Sequence, residues 1–120
     1  YTNLVENGKE IKMKIILVAL FMLLPLTSFA DGVATGKVKG YVINSGSVYV
    51  NIDADIVGKP ECNTTSRYTY SLSESYASHF LSVILSARAT GETIILTGNG
   101  DCNGGNSETL RKICTPNIPC

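Results

Sequence analysis

The stretch Ser71–Gly98, SLSESYASHFLSVILSARATGETIILTG, reads as one amphipathic helix, a glycine stop and an apolar strand. Ser71 followed three residues later by Glu74 is a capping-box pattern. In it the serine hydroxyl accepts the Glu74 N–H and the Glu74 carboxylate accepts the Ser71 N–H. Ser73 is an alternative start. Steps of roughly 100° per residue collect Tyr76, Ala77, Phe80, Leu81, Val83, Ile84 and Ala87 on one broad face. Gly91 supplies a left-handed C-terminal cap. The run Thr93-Ile94-Ile95-Leu96-Thr97 is too short for a helix and has the β-branched character of a buried strand. The opposite helix face carries Ser75, Ser78, His79, Ser82 and Ser86, with almost no charge, where a solvated face normally carries Lys, Glu and Arg. Small hydroxyl side chains admit a close neighbour, so Ser75, Ser78, Ser82 and Ser86 are candidate subunit contacts. A short solvated serine-rich face is the plain alternative.

Upstream of this stretch, Gly36 to Ile43 alternates Lys37, Lys39 and Tyr41 against Val38, Gly40 and Val42. Asn44-Ser45-Gly46 is a turn signal, and Ser47 to Asp53 alternates again with Val48, Val50 and Ile52 on one side, so the two segments predict a β-hairpin. A loop containing Gly58-Lys59-Pro60 leads to a third strand, Arg67 to Leu72, with Tyr68, Tyr70 and Leu72 on one face. Downstream, a glycine-asparagine loop from Asn99 to Asn106 precedes a last strand, Ser107 to Cys114. The order strand, strand, strand, helix, strand, strand predicts a mainly β domain with a small five-stranded OB-fold-like barrel and one helix between strands three and four. A two-layer α+β arrangement fits the same order.

The chain has 120 residues, enough for one small domain. Met13-Lys14, an apolar run from Ile15 to Leu24, Pro25 and the small residues Ser28 and Ala30 form a secretory signal-peptide pattern over residues 13–30, with cleavage expected before Asp31. The run is shorter than the roughly 20 apolar residues of a membrane span. Residues 1–12 are expected to be an upstream extension, and residues 31–120 the mature domain, periplasmic or secreted. That part carries seven Lys or Arg and eight Asp or Glu, a net charge of −1 with no basic stripe. Binding driven by neutralising phosphates or anionic lipid is disfavoured.

All four cysteines, Cys62, Cys102, Cys114 and Cys120, lie in the exported part and imply two disulfides. Three connectivities are possible, of which Cys62–Cys102 with Cys114–Cys120 is favoured. The first joins the loop before strand three to the loop after strand four, and the second closes a short Thr-Pro-Asn-Ile-Pro loop. Zinc is disfavoured, with no CxxC pair and a single histidine.

Little else points to chemistry. His79 has no acid among its helical neighbours and no G-x-S-x-G elbow exists, so no catalytic residue is assigned and the protein is expected not to be an enzyme. Asp53 with Asp55, and Asp101 with Asn103, Asn106 and Glu108, offer hard oxygens but match no ordered calcium loop, and ordinary turn chemistry is the expectation; no metal or cofactor is assigned. Asn63-Thr64-Thr65 fits a glycosylation sequon. Tyr41, Tyr49, Tyr68 and Tyr70 are candidate ligand-binding residues, because tyrosine joins a flat apolar ring to a hydroxyl and several could share one sheet face. Core packing of at least two of them is the alternative.

Pro60-x-Cys62, the helix ending Leu85-Ser86-Ala87-x-Ala89-Thr90-Gly91, then Thr97-Gly98-x-Gly100-x-Cys102 and Ser107-Glu108-Thr109 follow one order. That order resembles a group of small, exported, uncharacterised bacterial proteins, and is distantly similar to the B subunits of AB-type toxins of the subtilase-cytotoxin and typhoid-toxin type. The resemblance covers most of residues 36–113. It implies an exported OB-fold with a disulfide and, through the toxin subunits, a pentameric ring that binds cell-surface glycans. No glycan-contacting residue is carried over, since SESYASHF lacks the toxin family's aromatic-rich stretch. The expectation is therefore an exported binding protein that recognises a glycan or protein receptor as a homo-oligomer. The alternative is a monomeric periplasmic structural or accessory protein.

Overall fold

In the computed structural model, residues 31–120 are described; the expected extension 1–12 and the expected leader 13–30 lie outside them. The hairpin forms as its alternation predicts. Strands β1 (Val33–Asn44) and β2 (Ser47–Ile52) are joined by Ser45 and Gly46, both at positive φ, 50° and 81°. That conformation twists a two-residue turn in the same sense as its strands. Val48, Val50 and Ile52 point inward, as expected.

β1 is long enough to serve two neighbours. Its first half, Val33 to Lys37, pairs antiparallel with β4 (Thr93–Gly98), and its second half pairs with β2. Between them the register shifts at Val38/Gly40, leaving Lys39 without a ladder partner. Such a bulge bends the strand and turns later side chains to the other face.

β3 (Tyr68–Ser71) continues antiparallel from β2, and β5 (Glu108–Cys114) pairs antiparallel with β4. β3 and β5 then meet in parallel at two residue pairs, Tyr68 with Glu108 and Thr69 with Thr109. The strand order β1-β2-β3-β5-β4 thereby closes into a barrel. Its interior holds Val48, Val50, Tyr68, Ile94, Leu96 and Leu110, all nearly inaccessible to water.

The one helix among the described residues, α1 (Ala77–Thr90), buries Ala77, Ile84 and Ala87 against this core, with Tyr76, Phe80 and Leu81 packed beside them. Phe80 meets Tyr70 edge-on, with ring centroids 5.4 Å apart. Val83, placed on the buried face by periodicity, is 40% exposed. Gly91 ends the helix in the left-handed conformation, and its N–H donates to Ala87 O at 2.9 Å.

The start of the helix differs from the capping-box reading. Ser71 belongs to β3, paired with Ser47, and its hydroxyl accepts the Ser73 N–H at 3.2 Å in a tight turn. The helix begins at Ala77, and Tyr76 occupies the cap position with no side-chain cap. The sheet ladder claims the Ser71 backbone, so the capping box cannot form there.

Cys62–Cys102 and Cys114–Cys120 are both disulfide-bonded, the favoured pairing. The first lies where the β2–β3 and β4–β5 loops cross. Beside it Thr64 N–H donates to Asn106 O at 3.1 Å, and the Thr65 and Ser107 hydroxyls are 2.8 Å apart. Asn63, the sequon asparagine, is 1% exposed and its amide donates to Arg67 O at 3.2 Å, so this side chain is a loop strut and not a surface acceptor.

Candidate binding groove

Outward-facing residues of β2, β3 and β5 are small or hydroxylated, and they floor a groove of about 270 Å³. β2 contributes Ser47 and Tyr49, β3 contributes Thr69 and Ser71, and β5 contributes Thr109. One wall is the turn before α1, with Glu74 and Tyr76; the other is the β4–β5 loop, with Asn103, Asn106 and Ser107. That loop is pinned by the Cys62–Cys102 disulfide, by Asn99 Oδ1 accepting the Asp101 N–H, and by Asp101 Oδ1 accepting the Asn103 N–H, each at 2.9 Å. Asp101 is thereby engaged in turn chemistry. Among the described residues, no group of three or more His, Cys, Asp or Glu could hold a metal ion.

A second groove, of about 240 Å³, lies on the far side of Tyr49 and is lined by Lys39, Tyr41, Val42, Tyr49, Asn51 and Arg67. The Arg67 guanidinium stands 5.0 Å from the centre of the Tyr49 ring, a cation–π contact that braces the ring. Tyr49 is thus a wall shared by both grooves.

The four candidate tyrosines do not form one platform. Tyr68 and Tyr70 are 1% and 2% exposed and belong to the core. The alternation of strand three was legible, but the face that Tyr68 and Tyr70 share points inward. The Tyr68 hydroxyl lies 3.1 Å from Gly32 O and 3.3 Å from Leu96 O, either of which can accept its hydrogen bond. Burial, and after it the Glu108 carboxylate, hold that hydroxyl well above the ordinary tyrosine range, while burial pushes Tyr70 up to about 12. Tyr41 is 41% exposed, yet the bulge at Lys39 sets it opposite Val50 and puts Val42 opposite Tyr49. Tyr41 and Tyr49 therefore stand on opposite faces of the hairpin. Tyr49 lines both grooves, Tyr41 lines the second, and Tyr70 lines the first from its buried position.

Tyr76 and Glu74 were not among the sequence candidates, because both read as parts of a helix that in fact starts later. Tyr76 is held above the ordinary tyrosine range by burial and by the neighbouring Glu74 charge. Ser75, Ser78, Ser82 and Ser86 are all exposed, as is His79. The Ser82 hydroxyl donates back to Ser78 O at 2.8 Å, one helical turn away.

Glu108 was also missed as an interior residue. It is fully buried, in phase with Leu110, and fills one end of the barrel. Its Oε2 accepts two backbone N–H groups, Gly32 at 3.0 Å and Gly100 at 2.9 Å. Burial raises its pKa above the usual carboxylate range, the two N–H groups work against that shift, and the Asp31 charge adds to it.

No protein-family model, curated protein or solved structure matches the chain.

Proposed function

We propose that the mature chain, beginning at Asp31, is an exported OB-fold domain that acts by binding, with the groove around Tyr49 and Tyr76 as its ligand site. The strand order, the parallel β3–β5 closure and a helix between β3 and β4 support the OB-fold reading. Two disulfides fit an oxidising compartment, and no helix among the described residues is long and apolar enough to cross a membrane.

The observation that carries the ligand reading is the lining itself. Hydroxyls from three strands and amides from a loop line the groove together with Tyr49, Tyr70 and Tyr76, with Glu74 the one carboxylate. Hydroxyl and amide groups both donate and accept, and tyrosine adds a flat apolar face, which suits a polyhydroxylated ligand such as a glycan. Screening the processed protein against a glycan array, followed by calorimetry on any hit, tests this. Tyr49→Ala is expected to weaken the hit by about tenfold or more, the equivalent of ~1.4 kcal/mol. A hit indifferent to both Tyr49→Ala and Glu74→Ala, or no glycan hit at all, would overturn it.

Assembly into a B-subunit-like oligomer is the companion reading. Val83 and Leu85, each 40% exposed, lie on the same helix as the serine face and give it apolar surface to bury. Native mass spectrometry is expected to show an oligomer that Ser82→Arg breaks. An oligomer untouched by Ser82→Arg would remove the helix as the contact, and a wild-type monomer would favour the structural or accessory role.

A further inference from the structure

The inward end of the barrel contains an unfinished electrostatic arrangement. Both hydrogen bonds to Glu108 reach Oε2, whereas Oε1 is buried with no hydrogen-bond partner among the described residues. A side-chain carboxyl oxygen in that position is costly in either protonation state, since a carboxylate lacks a donor there and a neutral acid would lack an acceptor.

The surrounding groups do not resolve it. From β3, the Tyr68 hydroxyl faces the Gly32 and Leu96 carbonyls. From β5, Arg111 is drawn outward by the Asp31 carboxylate at 2.8 Å. Asp31 itself adds negative charge beside Glu108. Gly32 and Gly98 approach so closely that a Cβ on Gly32 would collide with Oε1 and one on Gly98 with Oε2. Oε1 is therefore turned toward the Asp31–Gly32 segment.

The Asp31 nitrogen is three covalent bonds from the Gly32 nitrogen, so the two are no more than about 3.7 Å apart. In an uncut chain that nitrogen is an amide with one N–H and no charge. Cleavage adds water across the Ala30–Asp31 bond, leaving a carboxylate on Ala30 and a three-donor ammonium on Asp31.

We propose that this α-ammonium of Asp31, released by removal of the leader, is the partner of Glu108, its N–H reaching Oε1 and its charge balancing the buried carboxylate. The inference rests on the reading that cleavage falls before Asp31. Leader removal then does more than release the protein from its export route: it supplies the one cation that finishes the core. In an uncut or differently cut chain the buried acid stays unsatisfied.

Exporting the full chain and weighing the purified product tests the cleavage reading by itself. A first residue other than Asp31 would overturn that reading and this proposal together. With Asp31 first, the rate of acylation of the α-amino group against pH tests the pairing alone. An unperturbed α-amino group titrates near about 7.7–8.0. Pairing is expected to raise this by about one unit, slowing acylation roughly fivefold at pH 8 and about tenfold at pH 6, and Glu108→Gln is expected to restore the ordinary value. An unshifted amine in wild-type protein would overturn the proposal.

A measurement that needs no variant gives a second check, because acylation removes the ammonium and leaves Glu108 unpaired. In acylated protein Glu108 titrates above its unfolded value, so its contribution to folding stability is full below about pH 4.3 and is lost as pH rises through the folded value. Free-amine protein is expected to lack that fall in its urea midpoint. Identical pH profiles for the two forms would overturn the pairing.

Discussion

Replacing Cys62 and Cys102 together with serine is expected to lower unfolding stability by about 4 kcal/mol, the loop-closure entropy of a 40-residue separation. Domains of this size have on the order of 5–15 kcal/mol in total, so the variant should be largely unfolded in mild urea. The bridge does more than shorten the unfolded chain. Cys102 is 4% exposed, and the loop it anchors supplies Asn103, Asn106 and Ser107 to the groove. Loss of ligand binding should therefore accompany loss of stability. The same substitution at Cys114 and Cys120, which closes only six residues, is expected to cost about 2 kcal/mol and to leave binding intact. Urea denaturation of both variants checks the ranking, and equal losses would refute the entropy account.

Gly98→Ala is expected to be nearly as damaging. An added Cβ would meet the Glu108 carboxylate itself, so one of the two must shift. The Gly98 N–H donates to Gly32 O at 2.9 Å, and Gly98 is paired with Leu110 in the ladder. Glu108 would have to swing away and give up its bonds from Gly32 and Gly100. A hydrogen bond to a charged group contributes roughly 1.5–3 kcal/mol, so a net loss on the order of 3 kcal/mol follows. Gly40→Ala, where an added Cβ meets open space, is the control and should be nearly silent. Adding Glu108→Ala to Gly98→Ala should recover part of the loss, because it removes the obstacle; a strictly additive double variant would sink the explanation.

The parts of the fold legible in the sequence were those with a single strong local cause. Val48, Val50 and Ile52 alternate because one side of β2 is buried, and Gly91 stops the helix because it takes the left-handed conformation without strain. The sequence allowed three disulfide connectivities, and the favoured one is the one that forms. What escaped was decided by contacts distant in sequence. Ser71 carries a helix-start pattern, yet it lies opposite Ser47 across the sheet, and the ladder prevailed over the cap. Tyr41 shares strand periodicity with its neighbours until the unpaired Lys39 reverses the phase. Tyr68 and Tyr70 were grouped correctly, but no local pattern says whether a tyrosine face turns to ligand or to core. Tyr49 lines both grooves. Glu108 escaped because its space inside the barrel is left by Gly32 and Gly98, which no pattern within the last strand reveals.

The meeting of β3 and β5 has a further consequence. Only two residue pairs close the cylinder there, and the approaching loops are the ones that Cys62 and Cys102 join. Before oxidation, this short parallel contact is the place where the cylinder opens most easily. Opened, it is a five-strand sheet with β3 and β5 as bare margins, each offering unpaired N–H and C=O groups to any neighbouring strand. Oxidation of one cysteine pair thus protects against sticking to other chains as well as against unfolding. A chain of this design is safest when its thiols are oxidised soon after synthesis.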